Sequence, residues 1–245
     1  MRVLYLQSLT ETRLWLRRRE TVFFSLLLPI MFLLFFGALY GHSVERSGIK
    51  YINYIVPGYA IFAVMAISLG TMTSNLAAER EYGILKRLGG TPLPRTALLA
   101  AKVIAGALLA AAVIVVLIVA GVLFYGAHIR GNPVSAVVIL VISVLSFAAI
   151  GIALGGMIKP DSAVAAGNLV YLALSFLGGV FIPLSQFPSG LLNVAKVLPS
   201  EHAVKAIQAV WTQGEGLHSV AGDLWVVAAW GAAAVIIGAR WFRWQ

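Results

Sequence analysis

The densest run of mixed charge in this chain reads Leu76-Ala-Ala-Glu79-Arg80-Glu81-Tyr82-Gly83-Ile84-Leu85-Lys86-Arg87-Leu88-Gly89-Gly90-Thr91-Pro92-Leu93-Pro94-Arg95. It lies between two apolar runs, each long enough to cross the roughly 30 Å hydrocarbon core of a bilayer. Charged residues make up only 11% of the 245 residues, so a cluster of this kind stands out. We expect the run to lie outside the membrane and to contact something there.

Composition limits the classes of protein to which the chain can belong. Hydrophobic residues make up 60% of it, which is typical of a multi-span membrane protein. The absence of cysteine excludes disulfides, thiolate nucleophiles and Cys-based metal sites. The net charge of +9 comes from basic residues beside apolar runs, where they contact anionic headgroups, so we expect membrane lipids and no nucleic acid as partners.

The apolar runs predict an all-α membrane protein with a single transmembrane domain over residues 1–245. Residues 1–20 predict a basic helix in the interface, with one apolar stripe in lipid, one stripe against the bundle and Trp15 at headgroup depth. Six transmembrane helices are predicted, at 21–40, 52–78, 97–124, 133–158, 162–182 and 220–239. The second would be about 40 Å long at 1.5 Å per residue, so we expect its Glu79 end to project into water.

The distribution of Lys and Arg predicts the orientation. Thirteen of the 18 lie on the side of the N-terminus, so both termini and the 79–95 loop are expected in the cytoplasm. Lys102 falls near that end of the third span, and we expect its side chain to snorkel to the interface.

Residues 183–219 predict two short amphipathic helices that fold back onto or into the outer leaflet. The second should begin at Pro199-Ser200-Glu201 and bury Ala203, Val204, Ile207, Val210 and Trp211. Gly178 and Gly179, just before the segment, favour close packing or a hinge. Asp161 and Asp223 fall in first turns of helices, where the helix dipole stabilises an anion.

No pattern in the chain indicates catalysis. The four histidines lie in predicted outer segments without ligand spacing, so we expect no metal site and interpret them as solvated. The P-loop pattern is absent, so no cofactor is expected on this chain, and if ATP is involved, another polypeptide binds it. The residues alone leave open a stand-alone channel or secondary carrier, and a non-transporting membrane scaffold. A membrane enzyme ranks below both, because no acid, base or nucleophile lies together with others inside the spans.

Residues 79–88, as a short helix, place Tyr82, Leu85 and Leu88 on one side, with charges of both signs around them. An exposed apolar ridge with a charged rim is typical of a docking element. An ordinary solvated loop whose basic residues only set the orientation is the other interpretation.

The order Glu-Arg-Glu-x-Gly-x-Leu-Lys-Arg-Leu at 79–88, followed by Thr-Pro-Leu-Pro at 91–94, resembles the cytoplasmic loop of type-2 ABC exporter permeases. The Gly-Gly-x-Phe-Ile-Pro-Leu-x-x-Phe-Pro run at 178–188 ahead of Leu198-Pro199, the basic N-terminal helix and the six-span layout resemble that family too. The resemblance therefore covers nearly the whole chain.

This resemblance implies a permease subunit of an ATP-driven exporter in the bacterial cytoplasmic membrane. It would pair with a second permease, a homodimer partner or a close relative, and dock two copies of an ATP-binding cassette subunit. The 79–95 loop would be a coupling helix, with contacts from Glu79, Arg80, Glu81, Gly83, Lys86 and Arg87. The substrate would be an amphiphile such as a drug, a lipid or a lipid-linked glycan.

The resemblance also implies where the substrate would pass. The path would lie between spans one, two and five, which places Phe24, Phe32, Phe35, Tyr54, Tyr59, Phe62, Asn168 and Tyr171 as candidates by their positions in those spans. The short outer helices would close the exit, which makes an outer gate of Gly178, Gly179, Pro183, Pro188 and Pro199.

Overall fold

The computed structural model of the chain describes residues 2–17, 19–40, 50–91, 93–128 and 130–242. Within these ranges the secondary structure is helical, which confirms the all-α class. The longer helices are α1 (Arg2–Arg17), α2 (Arg19–Tyr40), α3 (Tyr51–Glu81), α5 (Arg95–Tyr125), α6 (Pro133–Met157), α7 (Pro160–Leu177) and α10 (Ala221–Trp241). The shorter ones are α4 (Ile84–Gly89), α8 (Ser189–Ala195) and α9 (Pro199–Gln208), and α9 continues into a π-helical turn at Ala209–Gln213.

Among the described residues, five helices are long and apolar enough to cross a membrane: α3, α5, α6, α7 and α10. The first predicted span coincides with α2, of which Leu26–Tyr40 is a shorter apolar helix. The chain is therefore a multi-pass membrane protein. The predicted fifth span ends earlier than expected, at Leu177, because Gly178 caps α7 and Gly179 adopts a φ of +75°.

Helix α3 forms the centre of the bundle. Of its apolar stretch, 89% is buried by the rest of the chain, compared with 22% of the apolar stretch of α7 and 22% of that of α10. The helix continues past Pro57 and contains a π-helical turn at Ala66–Thr71. A π-helical turn holds one residue more than the α-helix around it, so it rotates everything beyond it about the helix axis. Helix α3 reaches Glu81 without a break, but Glu79, which was expected to project into water, is buried inside the bundle.

Glycines let α6 approach α3 closely. A Cβ at Gly151 would lie 2.7 Å from the carbonyl oxygen of Ser68, and one at Gly155 would lie 2.8 Å from that of Thr73. The hydroxyl of Thr73 uses this proximity and donates to the carbonyl of Gly151 at 3.1 Å. This is the small-residue packing by which membrane helices associate without a hydrophobic driving force between them.

Helix α1 packs along α5 through a face that hydropathy does not identify. Ser8, Glu11 and Trp15 are buried there, one helical turn apart. Trp15, which was expected at headgroup depth, packs its ring over Gly106 of α5 and is buried by the protein. Of the two predicted apolar stripes, one consists of Tyr5, Leu6, Leu9 and Leu16, which are all exposed. In the other, Val3 and Leu14 are exposed and Trp15 is buried.

Candidate functional site

The charged run forms a turn and a short helix beyond the end of α3. Tyr82 caps α3, Gly83 adopts a left-handed φ of +66°, and α4 then occupies Ile84–Gly89. A side chain other than glycine is strained at such a φ, so Gly83 allows the chain to change direction directly after α3. The charged run is therefore two helical pieces joined at Gly83.

The apolar residues of this run do not form the expected ridge. Leu85 is buried against Leu76 and Leu98, and Leu88 is half-buried beside them. Tyr82 and Ile84 are exposed, Tyr82 at 68%. The predicted grouping of Tyr82, Leu85 and Leu88 on one exposed side is therefore wrong, because the turn at Gly83 breaks the helical register that joined them. Leu85 fixes α4 to the bundle, and Tyr82 with Ile84 is the apolar surface that remains available.

Arg80 reaches from α3 to the end of α6. Its guanidinium donates to the carbonyl oxygen of Gly156 at 2.6 Å and to that of Ile158. These carbonyls lie at a helix C-terminus, where unsatisfied acceptors and the helix dipole both favour a cation. Arg80 thus fixes α3 against α6 and faces into the bundle.

Glu79 also faces into the bundle, where it takes part in an ion triad with Lys102 and Glu11. The ammonium of Lys102 lies 2.7 Å from Oε1 of Glu79 and 3.1 and 3.0 Å from the two carboxylate oxygens of Glu11. The side chains are 2%, 8% and 4% exposed for Lys102, Glu79 and Glu11. The triad therefore joins three helices, α5, α3 and α1, at one buried point.

The triad corrects the expectation that Lys102 snorkels to the interface. Its ammonium has two carboxylate partners inside the bundle, so the side chain has no need to reach water. Charges this deeply buried are retained only when they are paired and hydrogen-bonded. Among the described residues, Oε2 of Glu79 has no hydrogen-bond partner, so one Lys102 serves two carboxylates without satisfying every oxygen.

The predicted docking residues therefore fall into two groups. Glu79 and Arg80 are engaged inside the bundle, whereas Glu81, Lys86 and Arg87 are exposed around the turn at Gly83. Arg87 also donates an exposed hydrogen bond to the carbonyl of Tyr82 at 3.1 Å. We name the exposed surface of Glu81, Tyr82, Ile84, Lys86 and Arg87 the docking surface. It offers charges of both signs and two apolar side chains, and its chemistry suits binding to another protein.

The predicted path residues are dispersed. Tyr59 and Phe62 are fully buried, Phe32 is half-buried, and all three rings pack around Phe181, at centroid distances of 5.9, 5.2 and 5.1 Å. We name Phe32, Tyr59, Phe62 and Phe181 the aromatic cluster. Phe181 follows α7 in the chain and was missed by the sequence reasoning.

The other path candidates lie around this cluster. Tyr171 is mostly buried against Phe62, and the hydroxyl of Tyr54 donates to the carbonyl of Gly179 at 3.3 Å. Phe35 and Asn168 are exposed. The side chain of Phe24 lies outside the described part of the chain. The buried candidates, Tyr59, Phe62 and Tyr171, fill the interior of the single chain. They can therefore line a path only if the aromatic cluster opens.

The predicted outer-gate residues mark the ends of short helices. Gly178 caps α7 and lies so close to α9 that a Cβ there would be 2.6 Å from the hydroxyl of Ser200. Pro183 precedes a single 3₁₀ turn, Pro188 precedes α8, and Pro199 is the first residue of α9. These residues set where the outer segment turns, and Gly178 brings α7 and α9 into contact.

One polar group beyond α8 was also missed. His202 of α9 contacts Asp223 in the first turn of α10, with 2.7 Å between Nδ1 and Oδ1, so its interpretation as a solvated loop histidine is wrong. Burial raises the pKa of the neighbouring Glu201, while His202, Lys205 and Lys196 oppose that shift. The partner lies 21 residues away in sequence, which is why spacing alone did not reveal the group.

Comparison with known proteins gives a consistent set of matches. The family model described as ABC-2 type transporter matches residues 5–211. YvfS of Bacillus subtilis strain 168, named as a transport permease, is 29% identical over 208 residues, 82% of this chain and 82% of YvfS. The daunorubicin resistance ABC transporter permease protein DrrB1 of Streptomyces coeruleorubidus is 25% identical over 225 residues, 88% of this chain and 77% of DrrB1. The linearmycin resistance permease protein LnrN of Bacillus subtilis strain 168 is 22% identical over 187 residues, 76% of this chain and 48% of LnrN.

Proposed function

The chain belongs to the ABC-2 type transporter family, and on that basis we propose that it is the permease subunit of an ATP-driven exporter in a bacterial cytoplasmic membrane. It would move an amphiphilic substrate outward, with ATP and Mg bound by two copies of a separate ATP-binding subunit. Family membership favours this function over a stand-alone channel, a secondary carrier or a scaffold. The excess of Lys and Arg near both termini supports a cytoplasmic location for them and for the docking surface.

The observation that carries the proposal is the continuity of α3. This helix runs from the aromatic cluster to Glu81, the first residue of the docking surface, and the bundle surrounds it. A displacement of the docking surface therefore enters the membrane through a helix and not through a flexible linker. We infer that closure of the ATP-binding subunits moves α3 as a rigid body and opens the aromatic cluster.

The ion triad and Arg80 determine what moves with α3. Lys102 joins α3 to α1 and α5, and Arg80 joins it to the end of α6. Breaking the triad alone would leave a buried charge unpaired, so these contacts favour a joint movement of the helices they connect. In this mechanism α1 provides a second contact with the ATP-binding subunit, next to the docking surface.

The substrate class is supported by a cleft beside the aromatic cluster. Its volume is about 430 Å³, and its lining includes Phe36, Tyr40, Tyr51 and Phe181. Clefts of roughly 300–1,000 Å³ hold drug-sized ligands, and aromatic rings with hydroxyl groups suit an amphiphile. The names of DrrB1 and LnrN, which refer to resistance to daunorubicin and linearmycin, favour a drug over a lipid or a lipid-linked glycan.

A second permease subunit, identical or closely related, would complete the transporter. Helix α7 exposes Val164, Leu169 and Phe176 and is among the least buried candidate spans. In this proposal the partner covers α7 and the exposed face of α2, and the path lies between the two subunits.

The coupling proposal is tested by replacing both Glu81 and Arg87 with alanine. These side chains are exposed, so membrane insertion and folding should be unchanged, whereas ATP hydrolysis by the reconstituted complex should no longer drive transport. The matched control is the double variant Arg130→Ala and Glu215→Ala, which removes the same charges at the opposite end of the bundle. Wild-type coupled transport in the Glu81 and Arg87 variant would refute the assignment of the docking surface.

A further inference from the structure

The tautomer of His202 is set by a backbone contact. Its Nε2 lies 3.0 Å from the carbonyl oxygen of Lys196, which can only accept, so Nε2 carries a proton and donates. In a neutral imidazole the other nitrogen, Nδ1, then presents a lone pair. Histidines that bind metals are commonly held in this way, with the second ring nitrogen donating to a carbonyl or carboxylate.

The lone pair of Nδ1 faces two carboxylates. Oδ1 of Asp223 lies 2.7 Å from Nδ1, and Oε2 of Glu201 lies 3.4 Å from it. The side chains are 16%, 12% and 8% exposed for His202, Asp223 and Glu201, so water solvates them poorly. One ligand atom from each residue falls within 4.8 Å of the others. Three acceptors at this separation repel one another unless a cation lies between them, either a metal ion or a proton on Nδ1.

Lys205 is the only ammonium that the described part of the chain bonds to this group. Its Nζ lies 3.1 Å from Oδ1 of Asp223. Its side chain is 59% exposed, so it can move into solvent when a divalent ion takes its place. Glu201 and Asp223 together carry the two negative charges that a divalent ion neutralises.

We propose that Glu201, His202 and Asp223 form a zinc site that fastens α9 to α10. An imidazole nitrogen with two carboxylates suits Zn²⁺, whereas Ca²⁺ and Mg²⁺ prefer sites made of oxygen alone. Zinc ligands lie about 2.0–2.2 Å from the metal, which sets ligand atoms roughly 3.3 Å apart in a tetrahedron. The contact of 3.4 Å already fits, and the contact of 2.7 Å has to widen by about 0.6 Å. A water molecule would complete the coordination.

The site does not depend on the transport function proposed above. It is tested on the full chain purified in detergent, stripped with EDTA and titrated with zinc chloride, with bound metal measured by elemental analysis and affinity by calorimetry. We expect about one equivalent of zinc per chain and a rise in Tm on binding. His202→Gln and Asp223→Asn should each weaken zinc binding by about 100-fold or more. Losing a residue that only hydrogen-bonds to a metal ligand costs about 10–100-fold, so a larger loss identifies these two residues as ligands. His218→Gln, at an exposed histidine of the same outer segment, is the matched control and should bind zinc as the wild type does.

The variant Lys205→Met distinguishes a metal site from an ion-pair network, even if the other variants fold poorly. Removing the competing ammonium should tighten zinc binding several-fold, whereas it would only weaken a network of ion pairs. The proposal is overturned if the wild type binds no zinc, if His202→Gln retains the wild-type affinity, or if Lys205→Met leaves it unchanged. In the first case His202 would hold a proton on Nδ1 instead, as an imidazolium between two carboxylates.

Discussion

Replacing Lys102 with methionine tests the ion triad directly. Methionine has a similar length and is apolar, so it fills the space between α1, α3 and α5 without adding a polar group. The two carboxylates of Glu11 and Glu79 then lose their shared cation inside the bundle. We expect the variant to be strongly destabilised, and α1 to separate from α5 more readily than in the wild type.

The size of the effect follows from the geometry. Three carboxylate oxygens lie within 3.1 Å of Nζ, and all three side chains are at least nine-tenths buried. Removing one partner of a buried ion pair costs about 3–5 kcal/mol, because the remaining charge is left uncompensated. For a chain of this size roughly 2–4 °C of Tm corresponds to each kcal/mol, so Tm should fall by about 6–20 °C.

The assay is thermal unfolding of the chain in detergent or nanodiscs, with limited proteolysis after α1 as a local measurement. Lys159→Met is the matched control, because that lysine is exposed at the same end of the bundle and its loss should change stability by less than about 1 kcal/mol. A triple variant, Glu11→Met, Glu79→Met and Lys102→Met, removes the charges together. It should be at least as stable as the wild type, since apolar replacements of buried ion groups are often neutral or stabilising.

Two results would refute this reasoning. If Lys102→Met unfolds within about 2 °C of the wild type, the triad contributes nothing that its geometry predicts. If the triple variant is less stable than Lys102→Met alone, the loss comes from poor packing at these positions and not from unpaired charge.

Two further predictions concern backbone geometry at glycines. Gly83→Ala should cost about 1–2 kcal/mol and impair coupling of ATP hydrolysis to transport, because its φ of +66° is strained for alanine although open space surrounds the position. Gly90→Ala, at a φ of −84°, is the control, and equal coupling in both variants would contradict the role of the turn. Gly151→Ala should cost about 1–3 kcal/mol in thermal unfolding, because its Cβ would lie 2.7 Å from the carbonyl oxygen of Ser68. Gly222→Ala is the control: nothing lies within 4 Å of its Cβ position, so it should not destabilise the chain. Similar losses in the two variants would argue against close packing of α6 on α3.

The spacing of apolar residues predicted the buried face of α9 correctly. Ala203, Val204, Ile207, Val210 and Trp211 were selected from their spacing alone, and the structure buries all of them. The start of α9 at Pro199 was equally readable, because proline fits the first turn of a helix and an acidic residue follows it. Where a helix buries a continuous apolar face, the spacing of its apolar residues predicts that face.

The ion triad was unreadable for the opposite reason. The buried face of α1 includes Ser8 and Glu11, so a hydropathy wheel assigns this face to solvent. Lys102 is 91 residues from Glu11 and 23 from Glu79, and no local pattern relates residues at such separations. The turn at Gly83 had a similar effect on the docking surface, since one left-handed residue moved Leu85 from the exposed side to the buried one. Both failures arise from tertiary contacts that override local preference.

The π-helical turn at Ala66–Thr71 has a consequence for how this chain can evolve. Each residue of an α-helix advances it by about 100°, so a descendant that lost one residue here and became regular would turn the far end of α3 by about that angle. Glu79 would then face away from Lys102, and Arg80 away from the end of α6. A lineage that deletes the extra residue therefore also has to replace the buried charges, which would otherwise lose their partners inside the bundle.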